Sequence, residues 1–190
     1  MKKFLLLSSF VVGVILMVSS CEKIKDLTDI PIDADLSADI STISEGAAAS
    51  ASLKGANEQE YNFSGSATID PVDNADIDKH WKKIRAWEIK KVTVKVKNVS
   101  KDATLKNGQM VIKDKSNGEI LFAEDVENLQ LKSGVTVFSI SGADWGEVIS
   151  ALDSKHSLEV GISGALDQPG VSVTYGVVIS VKVTANIFNK

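Results

Sequence analysis

The chain has one cysteine, two histidines and three prolines in 190 residues, and only 6% of its residues are aromatic. Each scarcity removes a class of protein. One cysteine cannot form a disulfide within the chain, so burial of apolar surface must stabilise the fold. His80 and His156 have no second histidine at metal spacing, so a zinc site is not expected. No serine sits in a G-x-S-x-G elbow: Gly161-Ile162-Ser163-Gly164 departs from that pattern and lies in a strand-like stretch. There is no glycine-rich phosphate loop, and no cofactor is expected. A net charge of −4 argues against nucleic acid as a general partner.

Long apolar runs are also missing. The longest, Phe4 to Val18, follows the positive head Met1-Lys2-Lys3 and is interrupted by Ser8, Ser9 and Gly13. As a helix it reaches roughly 22 Å, short of the ~20 apolar residues of a comfortable membrane span. It fits a secretory signal instead. Ser19 and Ser20 then supply the small residues that a peptidase pocket needs, immediately before Cys21.

Val18-Ser19-Ser20-Cys21 resembles the lipobox of bacterial lipoproteins: an aliphatic residue, two small residues, then the cysteine. The resemblance covers residues 1 to about 22. It implies a diacylglyceryl group on the Cys21 thiol, cleavage before that residue, and a further acyl chain on the freed amine. It would also explain the single cysteine, since lipidation consumes a thiol that an oxidising compartment would leave exposed to chemistry. One buried acyl chain anchors marginally at about 0.8 kcal/mol per CH2, whereas two or three hold almost irreversibly. The division expected is a signal peptide at 1–20, a lipidated tether at 21–29 and one domain at 30–190. The resemblance places the mature protein in the bacterial cell envelope, lipid-anchored at the outer membrane. Glu22, Lys23, Lys25 and Asp26 match no sorting signal that would assign its side.

Removal of the signal leaves a net charge of −6, unevenly spread. Residues 22–78 carry −10, residues 79–101 carry +8, and the remainder carries −4. Along the mature chain, period-two alternation dominates. It begins at Ile30, Ile32, Ala34, Leu36, Ala38 and Ile40, with Asp33, Asp35, Ser37 and Asp39 between them. It returns over 61–69. It ends in a long strand from Val171 to Ile187 with one wet face. Further strands are expected near 105–113, 119–124, 135–141 and 157–165, with a weak one inside 44–57 and a hairpin turn at Ser116-Asn117-Gly118. Trp87 and Ile89 alternate on one register and Val92, Val94 and Val96 on the other, so a β-bulge is expected at Lys90-Lys91. Helical spacing appears twice, at about 74–84 and 143–153, the first with acids early and lysines late, as the helix dipole favours. The fold expected is mainly β: an antiparallel β-sandwich with two short helices. The valine-rich strand ending in "KNVS", the hairpin after it and "VGISGAL" resemble, over residues 90–188, the water-stress type of late-embryogenesis-abundant sandwich in architecture.

Candidate sites are few. Asp73, Asp76 and Asp78, with Asp70 and Asn74, form the densest group of oxygen ligands and are weak calcium candidates. Lys79 stands where an EF-hand loop needs glycine, and Arg85 where it needs glutamate, so a turn and helix start is the plainer reading. Trp81, Trp87 and Trp145 share faces with aliphatic residues, as core residues do, with sugar stacking as the alternative. If Val92, Val94 and Val96 face the core, Lys91, Lys95 and Lys97 line one solvent face. They are candidates for an anionic partner, such as an acidic glycan or an envelope protein. Alternatively, acids on neighbouring strands neutralise them, or they guard a sheet edge. The functional expectation is a membrane-anchored, non-enzymatic envelope lipoprotein with a binding or structural role. The alternative is an envelope hydrolase with an unrecognised carboxylate site, which a cleft with two convergent carboxylates would favour.

Overall fold

A computed structural model describes residues 29–45 and 60–186. The signal peptide, Cys21 and the tether before Asp29 lie outside them, as do most of the weak strand expected in 44–57 and Ile187. Among the described residues eight strands form: β1 (Asp29–Ile43), β2 (Tyr61–Ile69), β3 (Ile84–Val99), β4 (Ala103–Asp114), β5 (Ile120–Leu131), β6 (Thr136–Ile140), β7 (Leu158–Leu166) and β8 (Ser172–Asn186). Two short helices interrupt them, α1 (Ala75–His80) and α2 (Gly146–Asp153). The antiparallel β-sandwich with two short helices expected from the alternation is what forms.

One sheet has the order β1-β8-β3-β6 and the other β2-β7-β4-β5, with every pairing antiparallel. Strands 1 and 8, 2 and 7, 3 and 6, and 4 and 5 are thus hydrogen-bonded partners. That is one long antiparallel hairpin rolled into two sheets, the jelly-roll order. Rolling puts the β2–β3, β4–β5 and β6–β7 connections at one end, which carries both helices. Asp29 enters at this helical end, because it pairs with Asn186 at the end of β8. The β3–β4, β5–β6 and β7–β8 connections lie at the opposite end.

The core lies between the sheets. Val173, Tyr175, Val177, Ile179, Val181 and Val183 of β8 all point inward, and Tyr175 stacks on Phe63 of β2 with ring centroids 6.2 Å apart. The bulge expected at Lys90-Lys91 is present: register shifts between Ile89 and Lys91 against β8. It lets Trp87 and Ile89 on one side, and Val92, Val94 and Val96 on the other, all face the core. Edge strands β1 and β2 close one side of the sandwich. Gly65 allows this, since a Cβ there would come within 2.8 Å of Thr42 Cγ2 and 3.0 Å of the Ser41 carbonyl oxygen.

The first helix is shorter than its pattern. Asn74 caps it, its Oδ1 accepting from the backbone N–H of Asp76 and Ile77. The last turn, Trp81–Lys83, tightens to a 3-10 helix as Ile84 begins β3. Strand β5 is longer than expected, running on through Glu124, Asp125 and Glu127 to Leu131. It is a sheet edge, and its charged residues are of the kind that discourage edge-to-edge pairing.

Candidate functional site

The outer face of the β1-β8-β3-β6 sheet carries a groove. Burial of Val92, Val94 and Val96 sends Lys91, Thr93, Lys95 and Lys97 outward, so the three lysines do share one solvent face. Strand β8 lies beside them with Gly176, Val178 and Ser180, and β1 beyond it with Asp35, Ser37 and Asp39. Register fixes the rows: Asp39 opposite Gly176 opposite Lys95, Ser37 opposite Val178 opposite Thr93, and Asp35 opposite Ser180 opposite Lys91. A column of carboxylates and a column of ammonium groups therefore flank a small, uncharged column. Neighbouring strands stand about 4.8 Å apart, which separates the charged columns by roughly 10 Å.

Lys97 spans that distance. Its Nζ lies 2.6 Å from Asp39 Oδ1 and 2.8 Å from Oδ2. Its stem crosses Gly176, where a Cβ would meet Lys97 Cε at 2.7 Å. The neutralising acid expected from a neighbouring strand is thus one strand further away, and the missing side chain at Gly176 lets the lysine reach it. Both side chains are 54% exposed, so the pair contributes little, on the order of 0.2–1 kcal/mol. Lys95 has no ionic partner among the described residues. The β5–β6 connection closes the upper end of the groove: Ser133 Oγ donates to the Lys97 carbonyl at 2.7 Å, and Gly134 N–H to that of Val96 at 2.7 Å. Gly134 has φ 86°, a conformation that glycine adopts without strain. The groove has a volume of about 470 Å³, with Lys95 and Lys97 on one wall, Asp39 on the other, and Gly176 and Val178 in its floor.

A second cluster sits at the helical end, around a cavity of about 240 Å³. Asp114, at the end of β4, is buried. Its Oδ1 accepts from the Ser116 backbone N–H at 2.7 Å, and its Oδ2 lies 2.7 Å from His156 Nδ1. Ser116 Oγ lies 3.2 Å from the same Nδ1. A nucleophile–base–acid relay needs serine and aspartate on opposite ring nitrogens. With both on one nitrogen, this is a clasp between the β4–β5 turn and the segment after α2. Glu119 and Glu147 also line the cavity. Among the described residues no three His, Cys, Asp or Glu side chains are placed to hold a metal ion.

Hydrogen bonds from Ser116 hold the Asp114 carboxyl below its ordinary value of 3.8, burial opposes them, and His156 lowers it further. A depressed folded-state value stabilises the fold above the ordinary value and loses that contribution as pH falls through the folded one. The melting temperature should therefore drop as pH falls below 3.8, and Asp114→Asn should flatten that drop while lowering stability at neutral pH. An acid limb of unchanged steepness in the variant would contradict the clasp. Sequence spacing gave no signal for this pair, since its members are 42 residues apart.

The other sequence candidates stay apart. Asp70 Oδ1 accepts from Val72 N–H and its Oδ2 from Ser157 Oγ, so it caps a turn and ties it to β7. Asp73, Asp76 and Asp78 are exposed around the start of α1 and do not converge on a cation. Trp87 and Trp145 are 6% exposed and belong to the core. Half-buried Trp81 packs edge-on against Trp87, with Lys155 Nζ 5.9 Å from its ring centroid. None of the three tryptophans lines the groove.

No protein-family profile matches the chain, and no curated protein sequence does. Solved structures do. The chain is similar to the decameric BFDV capsid protein, with TM-score 0.43, 7% identity, and coverage of 81% of this chain and 99% of that one. It is also similar to Desmodium yellow mottle tymovirus, with TM-score 0.32, 9% identity, and coverage of 85% and 91%. A third is the family 11 carbohydrate-binding module from Clostridium thermocellum, in complex with a β-1,3-1,4-mixed-linked tetrasaccharide. There the TM-score is 0.26 at 10% identity, with coverage of 80% and 88%.

Proposed function

We propose that this chain is a bacterial envelope lipoprotein, anchored through lipid on Cys21 and without enzymatic activity. On this reading it binds an anionic partner through the outer face of the β1-β8-β3-β6 sheet, and the partner class is an acidic envelope glycan. The observation that carries the binding role is the exposed lysine column of β3, in which Lys95 has no ionic partner among the described residues, Lys91 continues the column and Lys97 would exchange its exposed contact with Asp39 for the partner. The anchor is supported by the signal-like start and the box before the only cysteine.

Attraction between exposed charges fades beyond a Debye length of about 8 Å at physiological salt. Retention on an immobilised acidic polysaccharide should therefore be measurable at low salt and fall steeply as salt rises. Replacing Lys91, Lys95 and Lys97 together with glutamine should abolish it. Equal retention of wild type and triple variant at low salt would overturn the binding role.

A further inference from the structure

The same face is complementary to itself. We infer that the outer face of the β1-β8-β3-β6 sheet pairs with a second copy of this chain. The pairing goes beyond glycan binding but uses the same lysines. A two-fold axis parallel to β8, lying above it, brings β1 of each copy over β3 of the other. Because the rows are in register, Asp39 then opposes Lys95 of the second copy, and Asp35 opposes Lys91. Each contact occurs twice, as an isologous interface requires. The central column of Gly176, Val178 and Ser180 is small and uncharged, so the two sheets can approach along the axis once the exposed Lys97 side chain swings off Gly176. The other in-plane axis, perpendicular to the strands, would set aspartate over aspartate. Charge therefore selects one arrangement.

The contact has limits. One row nearer the helical end, Asp33, Lys182 and Glu88 stand opposite each other, and the two-fold axis would place acid over acid there. The favourable area is confined to rows 35 to 41. Over three strands that spans about 25 by 15 Å, roughly 400 Å² per copy, against about 800 Å² per partner in a stable interface. The pairing is consequently weak, reversible and salt-sensitive. Within the chain, Asp35 Oδ1 accepts from Ser180 Oγ at 2.6 Å and Asp39 is bridged by Lys97, so association exchanges exposed local contacts for contacts between copies.

The test is capture of one tagged pool of the full chain by another, in detergent at low salt. Wild type should capture wild type. Reversing the acidic column with Asp35→Lys and Asp39→Lys should reduce capture by at least about tenfold, as should Lys91→Asp with Lys95→Asp. Mixing the two reversed proteins should restore it, which also guards against misfolding as the cause of loss. Absent capture of wild type by itself, or capture unchanged by both reversals, would overturn the pairing. Asp35→Asn with Asp39→Asn separates the two readings, because it should abolish self-capture while glycan retention survives and rises, Lys97 no longer being bridged to Asp39. Glycan binding that fails while self-capture survives would remove only the proposed ligand.

Discussion

Replacing Gly164 with alanine should remove a large part of the domain's stability. Gly164 pairs with Gly108 in the middle of the β4–β7 ladder and with Phe63 of β2. A Cβ at that position would fall 2.2 Å from the Asn107 carbonyl oxygen and 2.8 Å from Gly108 Cα. Both obstacles are backbone, so no rotamer change relieves them. Asn107 already sits at a register shift between Leu105 and Asn107. Overpacking of a core costs about 1–3 kcal/mol where side chains can give, and more where they cannot. About 3 kcal/mol or more is expected here, a large part of the 5–15 kcal/mol of a typical domain. Gly118, with φ 76° and open space around it, is the comparison. Alanine there should cost only the 1–2 kcal/mol of a left-handed residue. Denaturant midpoints of the two variants decide the point: a Gly164→Ala protein as stable as Gly118→Ala would contradict the packing of the second sheet.

The second large effect concerns the anchor. On the lipoprotein reading, Cys21→Ser removes the only thiol and with it the acceptor of the lipid. Two or three acyl chains hold a protein at a membrane almost irreversibly, and none of that energy survives their loss. No helix among the described residues is long and apolar enough to cross a membrane in their place. Fractionation should therefore move the protein from nearly all membrane-bound to mostly released, apart from any chain held by its uncleaved signal. A serine variant recovered with membranes after its signal is removed would count against lipidation.

Where one side of a strand is buried and the other wet, the sequence is easy to read. Strand β8 is the clearest case, since valine and isoleucine alternate with serine, threonine and lysine along most of its length. The bulge in β3 was legible for the same reason, because two apolar registers meet at Lys90 and Lys91. Strand β5 reads short in the sequence because "AEDVEN" is acidic on both faces, as an edge can be and an inner strand cannot. Strand order was beyond reach: alternation says which face of a strand is buried but not which strand lies beside it. That gap limits the site as well. The lysine column follows from the valines of one strand, and the aspartates of β1 also alternate openly. Their alignment across Gly176 and Val178 depends on β8 lying between them, which only the fold provides. The Asp114–His156 clasp is lost to sequence for the same reason, as it joins two connections that meet only once the hairpin has rolled up.

On the proposed function, lipid on Cys21 holds this domain at a membrane. The measurement that bears on it most directly is the mass of the N-terminal peptide of the protein extracted from membranes. The expected peptide begins at Cys21 and carries the added mass of a diacylglyceryl group, with a further acyl chain on its amine. A peptide that begins at Met1, or one that begins near residue 21 with an unmodified thiol, would contradict it.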